Sequence, residues 1–238
     1  MRRWSNENRC RLVRPRRSDE TTKMQFPFSH ITLAFLWIIY CLLHSITASE
    51  RFKSFAQRGM KKNFRLFRLV YNLFAAISFI AIVFYQSIIP SSLLFKPVIF
   101  SITVGILIGV IGLTIMAVCI AKYFKGLSGL FTAPEKKAGG VLIISGIHQW
   151  VRHPLYFGTF LFIWGGWIAY PLLSLLISNC IITIYTLIGI RLEEDKLIAE
   201  YGEQYKSYQQ NVPMIIPGKQ KNRRTEEQNN RRIKEVEK

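Results

Sequence analysis

Long apolar blocks alternate with short basic ones along most of the chain. Residues 31–47 form the first apolar block, 69–89 the second and 98–121 the third. The stretch 155–190 is too long for one crossing and is interrupted by Ala169, Tyr170 and Pro171, which predicts two helices joined by a tight turn. A helix that crosses the hydrocarbon core needs about 20 residues and no fewer than about 17. The pattern therefore predicts an all-α integral membrane protein of about five transmembrane helices, with spans four and five forming a short helical hairpin. Those two spans sit near the lower limit of length, and a re-entrant hairpin is the alternative for them.

Beyond the fifth span the period changes. Leu197, Tyr201, Tyr205, Tyr208 and Val212 recur every three or four residues, the face of an amphipathic helix that lies on the membrane and closes over a pocket. Asn211-Val212-Pro213 ends it, and the two prolines of residues 212–217 force an extended run. The chain thus divides into a basic N-terminal extension (1–23, disordered or not native), a membrane domain (24–217) and a charged, disordered tail (218–238).

Charge turns this pattern into an orientation. Half of the residues are hydrophobic (50%), yet the formal net charge is +18. Residues 49–68 hold Arg51, Lys53, Arg58, Lys61, Lys62, Arg65 and Arg68, and residues 122–153 hold Lys122, Lys125, Lys136, Lys137 and Arg152. The segment from Arg191 onward is also rich in lysine and arginine, though interleaved with acids, whereas residues 86–97 hold only Lys96 and the Pro171 turn holds no basic residue. Five spans put all three basic segments on one side, which the positive-inside rule makes cytoplasmic, beside anionic lipid. The arginine-rich residues 1–23 then fall on the wrong side. A start at Met24 removes that conflict, and a four-span protein with a genuine basic tail is the alternative. No cleavable leader is expected. The basic residues are scattered over several loops with no reading module, so nucleic acid is not an expected partner. Cys10, Cys41, Cys119 and Cys180 show neither metal-ligand spacing nor a disulfide framework, and no metal is expected.

Ionisable groups at a bilayer are costly and point to function unless they are paired or snorkel outward. One concentration of them is residues 145–158, at the start of span four. Pro154 suits the first helical turn and pushes His153 out of helical geometry. Arg152 and His153 then stand at a helix entrance whose free N–H groups suit a carboxylate or another anion. Tyr156 and Gly158 follow, and the missing side chain of Gly158 admits a ligand or a neighbouring helix. Ordinary interface residues, with Trp150 and Tyr156 in an aromatic belt, are the plain alternative. The second concentration begins at Arg191, where Glu193 and Glu194 leave the fifth span. They are either solvated, with Glu193 paired to Lys196, or held at the boundary to grip a cation or act as a base.

Arg152-His153-Pro154-x-Tyr156-x-Gly158, a short hairpin, Glu193-Glu194-x-x-Leu197, Tyr201-Gly202-x-x-Tyr205-x-x-Tyr208 and Val212-Pro213-x-x-Ile216-Pro217 together resemble the isoprenylcysteine carboxyl methyltransferase superfamily. The likeness is specific over residues 139–217. His44-Ser45-Ile46-Thr47-Ala48-Ser49 with Arg68-Leu69-Val70-Tyr71-Asn72 is similar to its prokaryotic methanethiol S-methyltransferase and NnrU-like branches. The resemblance implies a membrane enzyme that uses S-adenosyl-L-methionine. It implies cofactor contacts from Val141, Leu142, Ile143 and Ile144, from His148 (where relatives often carry tyrosine), and from His153, Pro154, Leu155, Tyr156 and Gly158. It assigns catalytic or substrate-orienting roles to Arg152, Arg191, Glu193 and Glu194, with Arg191 out of register against the arginine of the isoprenylcysteine branch.

The implied acceptor is a lipophilic or small molecule reached through membrane lipid, with thiol, carboxylate and phospholipid amine all open. A non-catalytic NnrU-like accessory or transport protein and a phospholipid N-methyltransferase are the alternatives. A sterol-type reductase ranks lower, because no long N-terminal bundle precedes the motifs.

Overall fold

The computed structural model describes residues 18–60, 64–127, 142, 144 and 146–218. Its elements are α1 (Ser18–Ala48), α2 (Glu50–Met60), α3 (Phe64–Ile88), α4 (Ile99–Leu127), a single 3-10 turn at Gly146–Gln149, α5 (Pro154–Ala169), α6 (Leu173–Tyr201) and α7 (Glu203–Asn211). The all-α membrane architecture is as expected. Phe28–Ala48, Leu69–Ile88, Ile99–Ala121 and Leu173–Tyr201 are each long and apolar enough to cross a membrane, and α5 is a shorter apolar helix of 16 residues. In none of the four spans is more than 22% of the most apolar window buried inside the molecule. The outer surface is instead covered by side chains such as Phe35, Ile80, Phe84, Ile99 and Phe100. Such a surface is solvated by lipid rather than water, so this is a multi-pass membrane protein.

Lipid tails are as apolar as leucine, so these helices associate through close packing and interhelical hydrogen bonds. The tightest pair is α4 with α5. A Cβ placed on Gly105 would lie 2.5 Å from the Ala169 amide, one on Gly112 2.5 Å from the Phe162 amide, and one on Gly165 2.6 Å from the Gly109 amide. Gly158 likewise faces the Gly112 carbonyl and Met116, so its missing side chain serves a neighbouring helix. Gly105, Gly109 and Gly112 form a small-residue stripe that the apolar pattern alone hides. Around α6, Trp164 donates to Thr183 (3.1 Å), Asn179 to the Ile163 carbonyl (2.7 Å) and Ser178 to Gln86. Leu33, Trp37 and Ile82 form the apolar core between α1 and α3, with Ile181 and Ile182 of α6 against it.

The hairpin turn fixes which ends meet. Leu94 N–H donates to the Pro171 carbonyl (2.9 Å) and Leu173 N–H to the Ser92 carbonyl (3.1 Å). The α5–α6 turn therefore lies beside the α3–α4 link, and the start of α5, the end of α6 and the α1–α3 connection lie at the opposite end. Among the described residues, Arg152 and the helix α2 lie at that opposite end.

Two local expectations need correction. Residues 49–68 are not simply a basic loop, because α2 occupies much of that stretch. Ser49 Oγ accepts from the Phe52 amide (3.3 Å), a side-chain cap at the start of an amphipathic helix. The amphipathic helix after span five is not continuous either. Gly202 adopts φ +57°, ends α6 and starts α7 in a new direction. Further, α1 begins at Ser18, upstream of Met24.

Candidate active site at the basic end

Pro154 stands at the first position of α5 and His153 at its N-cap, with no side chain capping the helix. The preceding residues are held by the extended run after α7. Arg152 N–H donates to the Pro213 carbonyl (3.0 Å), His153 N–H to the Met214 carbonyl (3.1 Å) and Gly218 N–H to the Trp150 carbonyl (3.1 Å). Tyr208 Oη donates to the His148 carbonyl (2.6 Å), and the His148 Nδ1–H donates to the Arg152 carbonyl (3.1 Å). The two prolines of 212–217 thus keep a strand-like rail against which the entrance loop is set.

Glu194 lies at the centre. Its Oε1 receives the His153 Nε2–H at 3.1 Å and the Tyr205 hydroxyl at 3.4 Å, and its Oε2 receives the Gln209 amide at 3.0 Å. Arg152 Nε lies 2.8 Å from Oε1, but this buried N–H is not aligned on any acceptor, so the contact acts through charge rather than as a hydrogen bond. Arg152 Nη1 donates instead to the Gln209 carbonyl (2.8 Å). A carboxylate so enclosed is retained only because it is paired and hydrogen-bonded. Burial first, and the Glu194 charge second, hold the Tyr205 phenol well above its ordinary pKa, so it remains a donor.

Glu193, one residue earlier, is different. Its side chain is 49% exposed, its Oε2 accepts from the Tyr156 hydroxyl at 3.3 Å, and His153 Nδ1 is 3.9 Å away, too far for a hydrogen bond. The alternative pairing with Lys196 does not form. Neighbouring carboxylates therefore have unlike surroundings: one is locked into the scaffold, and the other is half-open beside a phenol and an uncapped helix N-terminus.

The structure brings Arg152, His153, Pro154, Tyr156, Glu193 and Glu194 together, with Leu155 beside them in the first turn of α5. Leu142 and Ile144 belong to no helix or strand and pack on the buried cluster Tyr205, Tyr208 and Val212, and Leu142 N–H donates to Gln204 Oε1 (3.3 Å). Val141 and Ile143 lie outside the described residues. Arg191 is exposed on α6 and makes no contact in the cluster; Gly158 packs on α4. The tyrosine face of α7 covers this loop rather than lying on lipid. Gln209 carried no sequence signal, whereas Tyr205 and Tyr208 were visible as a helical face but not as site residues.

A family described as "Protein of unknown function (DUF1295)" matches residues 21–212. A methanethiol S-methyltransferase of Crocosphaera subtropica is 29% identical over 198 residues, 75% of this chain and 71% of that protein. Methanethiol S-methyltransferase 1 of Bradyrhizobium diazoefficiens is 27% identical over 215 residues, 87% of this chain and 73% of that protein. A protein-S-isoprenylcysteine O-methyltransferase of Dictyostelium discoideum is 33% identical over 100 residues, 35% of this chain and 36% of that protein. No solved structure matches the chain. With its hairpin, its buried Arg–His–Glu cluster and these relatives, the chain belongs to the DUF1295 family, within the isoprenylcysteine methyltransferase-like superfamily.

Proposed function

We propose that this protein is a membrane methyltransferase that uses S-adenosyl-L-methionine and modifies a small thiol, carboxylate or other lipophilic acceptor. One observation carries the reading. Residues at the start of α5 and the end of α6, 41 positions apart between His153 and Glu194, share one ion-pair cluster that leaves Glu193 and Tyr156 facing outward. The donor set suits the cofactor. The uncapped N–H groups of α5 can hold its carboxylate, and Glu193 with Tyr156 can hold its ammonium or ribose hydroxyls. When bound, S-adenosyl-L-methionine supplies an electrophilic methyl group on a sulfonium whose charge disappears on transfer.

The chain's own work is alignment and exclusion of water. Holding two reactants in attack geometry supplies roughly 7–11 kcal/mol of a barrier. Glu194, fixed by Arg152, His153, Tyr205 and Gln209, keeps α5 and α6 in register. With Glu193 committed to the cofactor, a thiol acceptor reacts as its thiolate, and a carboxylate acceptor needs no base. The longest matches carry the name methanethiol S-methyltransferase, which favours a thiol. The basic end of the bundle is assigned to the cytoplasm, where the cofactor is supplied.

Membranes containing the protein, given methyl-labelled S-adenosyl-L-methionine and then separated into volatile, lipid and protein fractions, test this reading. Label in one fraction, absent in Glu193→Gln membranes, is the expected result. Label in none, with purified protein that does not bind the cofactor, overturns it.

A further inference from the structure

The sequence segments around His44 and Tyr71 take no part in the carboxylate cluster, yet the fold brings them together. His44 and Thr47 of α1 and Tyr71, Ala75 and Ser78 of α3 line one cavity of about 270 Å³ between the two helices. The remaining wall is aliphatic and aromatic, and Ile39, Leu43 and Phe74 at its margin also face lipid. The cavity therefore joins a greasy interior to the hydrocarbon core.

Three of its polar residues, His44, Thr47 and Tyr71, lie toward the end where α1 stops and α3 starts, and Ser78 lies deeper. That end is the one where α5 starts and α6 leaves. The His44 ring stacks on Tyr40 (centroids 5.9 Å apart), and its Nδ1 is buried with no hydrogen-bond partner. An imidazole nitrogen left unpartnered inside a membrane helix costs free energy and points to a ligand or function. The next residue, Ser45, donates to the Tyr185 hydroxyl of α6 at 3.0 Å. Tyr185 lies on the same helix as Glu193 and Glu194, about two turns before them. The helix that carries the carboxylates thus also touches α1 beside the cavity.

We propose that this cavity seats the methyl acceptor, and that it selects a single apolar chain of about ten to twelve non-hydrogen atoms with a compact polar head held at the His44–Tyr71 end. The size follows from volume: an apolar cavity of about 150 Å³ holds benzene, so one of 270 Å³ holds roughly twice as much. That is larger than the smallest thiols and far too small for a phospholipid headgroup with paired chains. Entry is lateral, from lipid. The inference rests on the methyltransferase reading for what happens to the ligand, but not for its binding.

The test uses the full chain in lipid nanodiscs and a decyl probe that carries a thiol head and a mid-chain diazirine. After irradiation, adducts are mapped by peptide mass spectrometry, with decane-1-thiol as competitor. Adducts should concentrate on residues 36–47 and 71–82, fall with competitor, and be lost in Ala75→Phe, which fills the cavity. Ser78→Leu serves as a second plug should the first not fold. His44→Phe keeps the ring stack and should raise the competitor concentration needed by about tenfold, the value of one lost hydrogen bond.

Adducts spread evenly over all lipid-facing helices, or undiminished in both plugged proteins, overturn the proposal. S-adenosyl-L-methionine binding, measured on the same preparations by equilibrium dialysis, reports separately on the enzyme reading. Cavity labelling without cofactor binding ends that reading and leaves the ligand site standing.

Discussion

Glu193 and Glu194 are adjacent and chemically alike, yet the fold gives them different tasks. Glu194 is surrounded by Arg152, His153, Tyr205 and Gln209, so replacing it with Gln strands a buried guanidinium. Breaking a buried pair by removing one partner costs about 3–5 kcal/mol. Glu194→Gln should therefore lower the melting temperature in detergent, whereas Glu193→Gln, at a half-exposed position, should leave it unchanged. Equal melting of the two variants would contradict this division. Tyr205 adds a pH test. Its raised pKa means the native state keeps a proton that the unfolded chain gives up above the ordinary tyrosine value of 10.0, so stability is full below that value and is lost as pH rises beyond it. Tyr205→Phe should be less stable at neutral pH but lose less on alkaline titration than the parent. At this scale the motif residues were legible because histidine before proline and paired acids at a membrane boundary are rare. What could not be read was which acid is open. That depends on Gln209 and Tyr205, brought in by the Gly202 bend rather than by any local pattern.

Helices in lipid have no hydrophobic force holding them together, so α4 and α5 depend on backbone approach. Gly112→Ala places a methyl group 2.5 Å from the Phe162 amide, and the helices must part. Overpacking of this kind costs roughly 1–3 kcal/mol. Gly166→Ala meets nothing within 4 Å and should be neutral or slightly stabilising, because alanine is the better helix former. Thermal melts of the two variants check the contrast, and similar losses from both would show that the stripe is not the contact. The apolar blocks gave the spans to within a few residues, since length and hydropathy alone define a crossing. They hid α2, because its short, charged sequence reads as a loop unless Ser49 is recognised as a cap. They also joined α6 to α7, because Leu197, Tyr201, Tyr205 and Tyr208 keep helical spacing across a glycine at φ +57°.

For the whole molecule, topology matters more than any contact. The Pro171 turn meets the α3–α4 link at one end, and the entrance of α5, the exit of α6 and the polar end of the α1–α3 cavity share the other. On the proposed reading, a charged cofactor and a lipophilic acceptor approach one place from two phases, water and lipid. The arrangement needs α6 as the common wall: Tyr185 faces α1, and Glu193 and Glu194 face the start of α5. The most direct measurement is equilibrium binding of labelled S-adenosyl-L-methionine to the purified full chain in nanodiscs, for the parent and Glu193→Gln side by side. Saturable binding by the parent, weakened at least about tenfold in a variant of unchanged melting temperature, is expected if the open carboxylate holds the cofactor. Folded parent protein that shows no saturable binding, or a variant that binds as well as the parent, would contradict it.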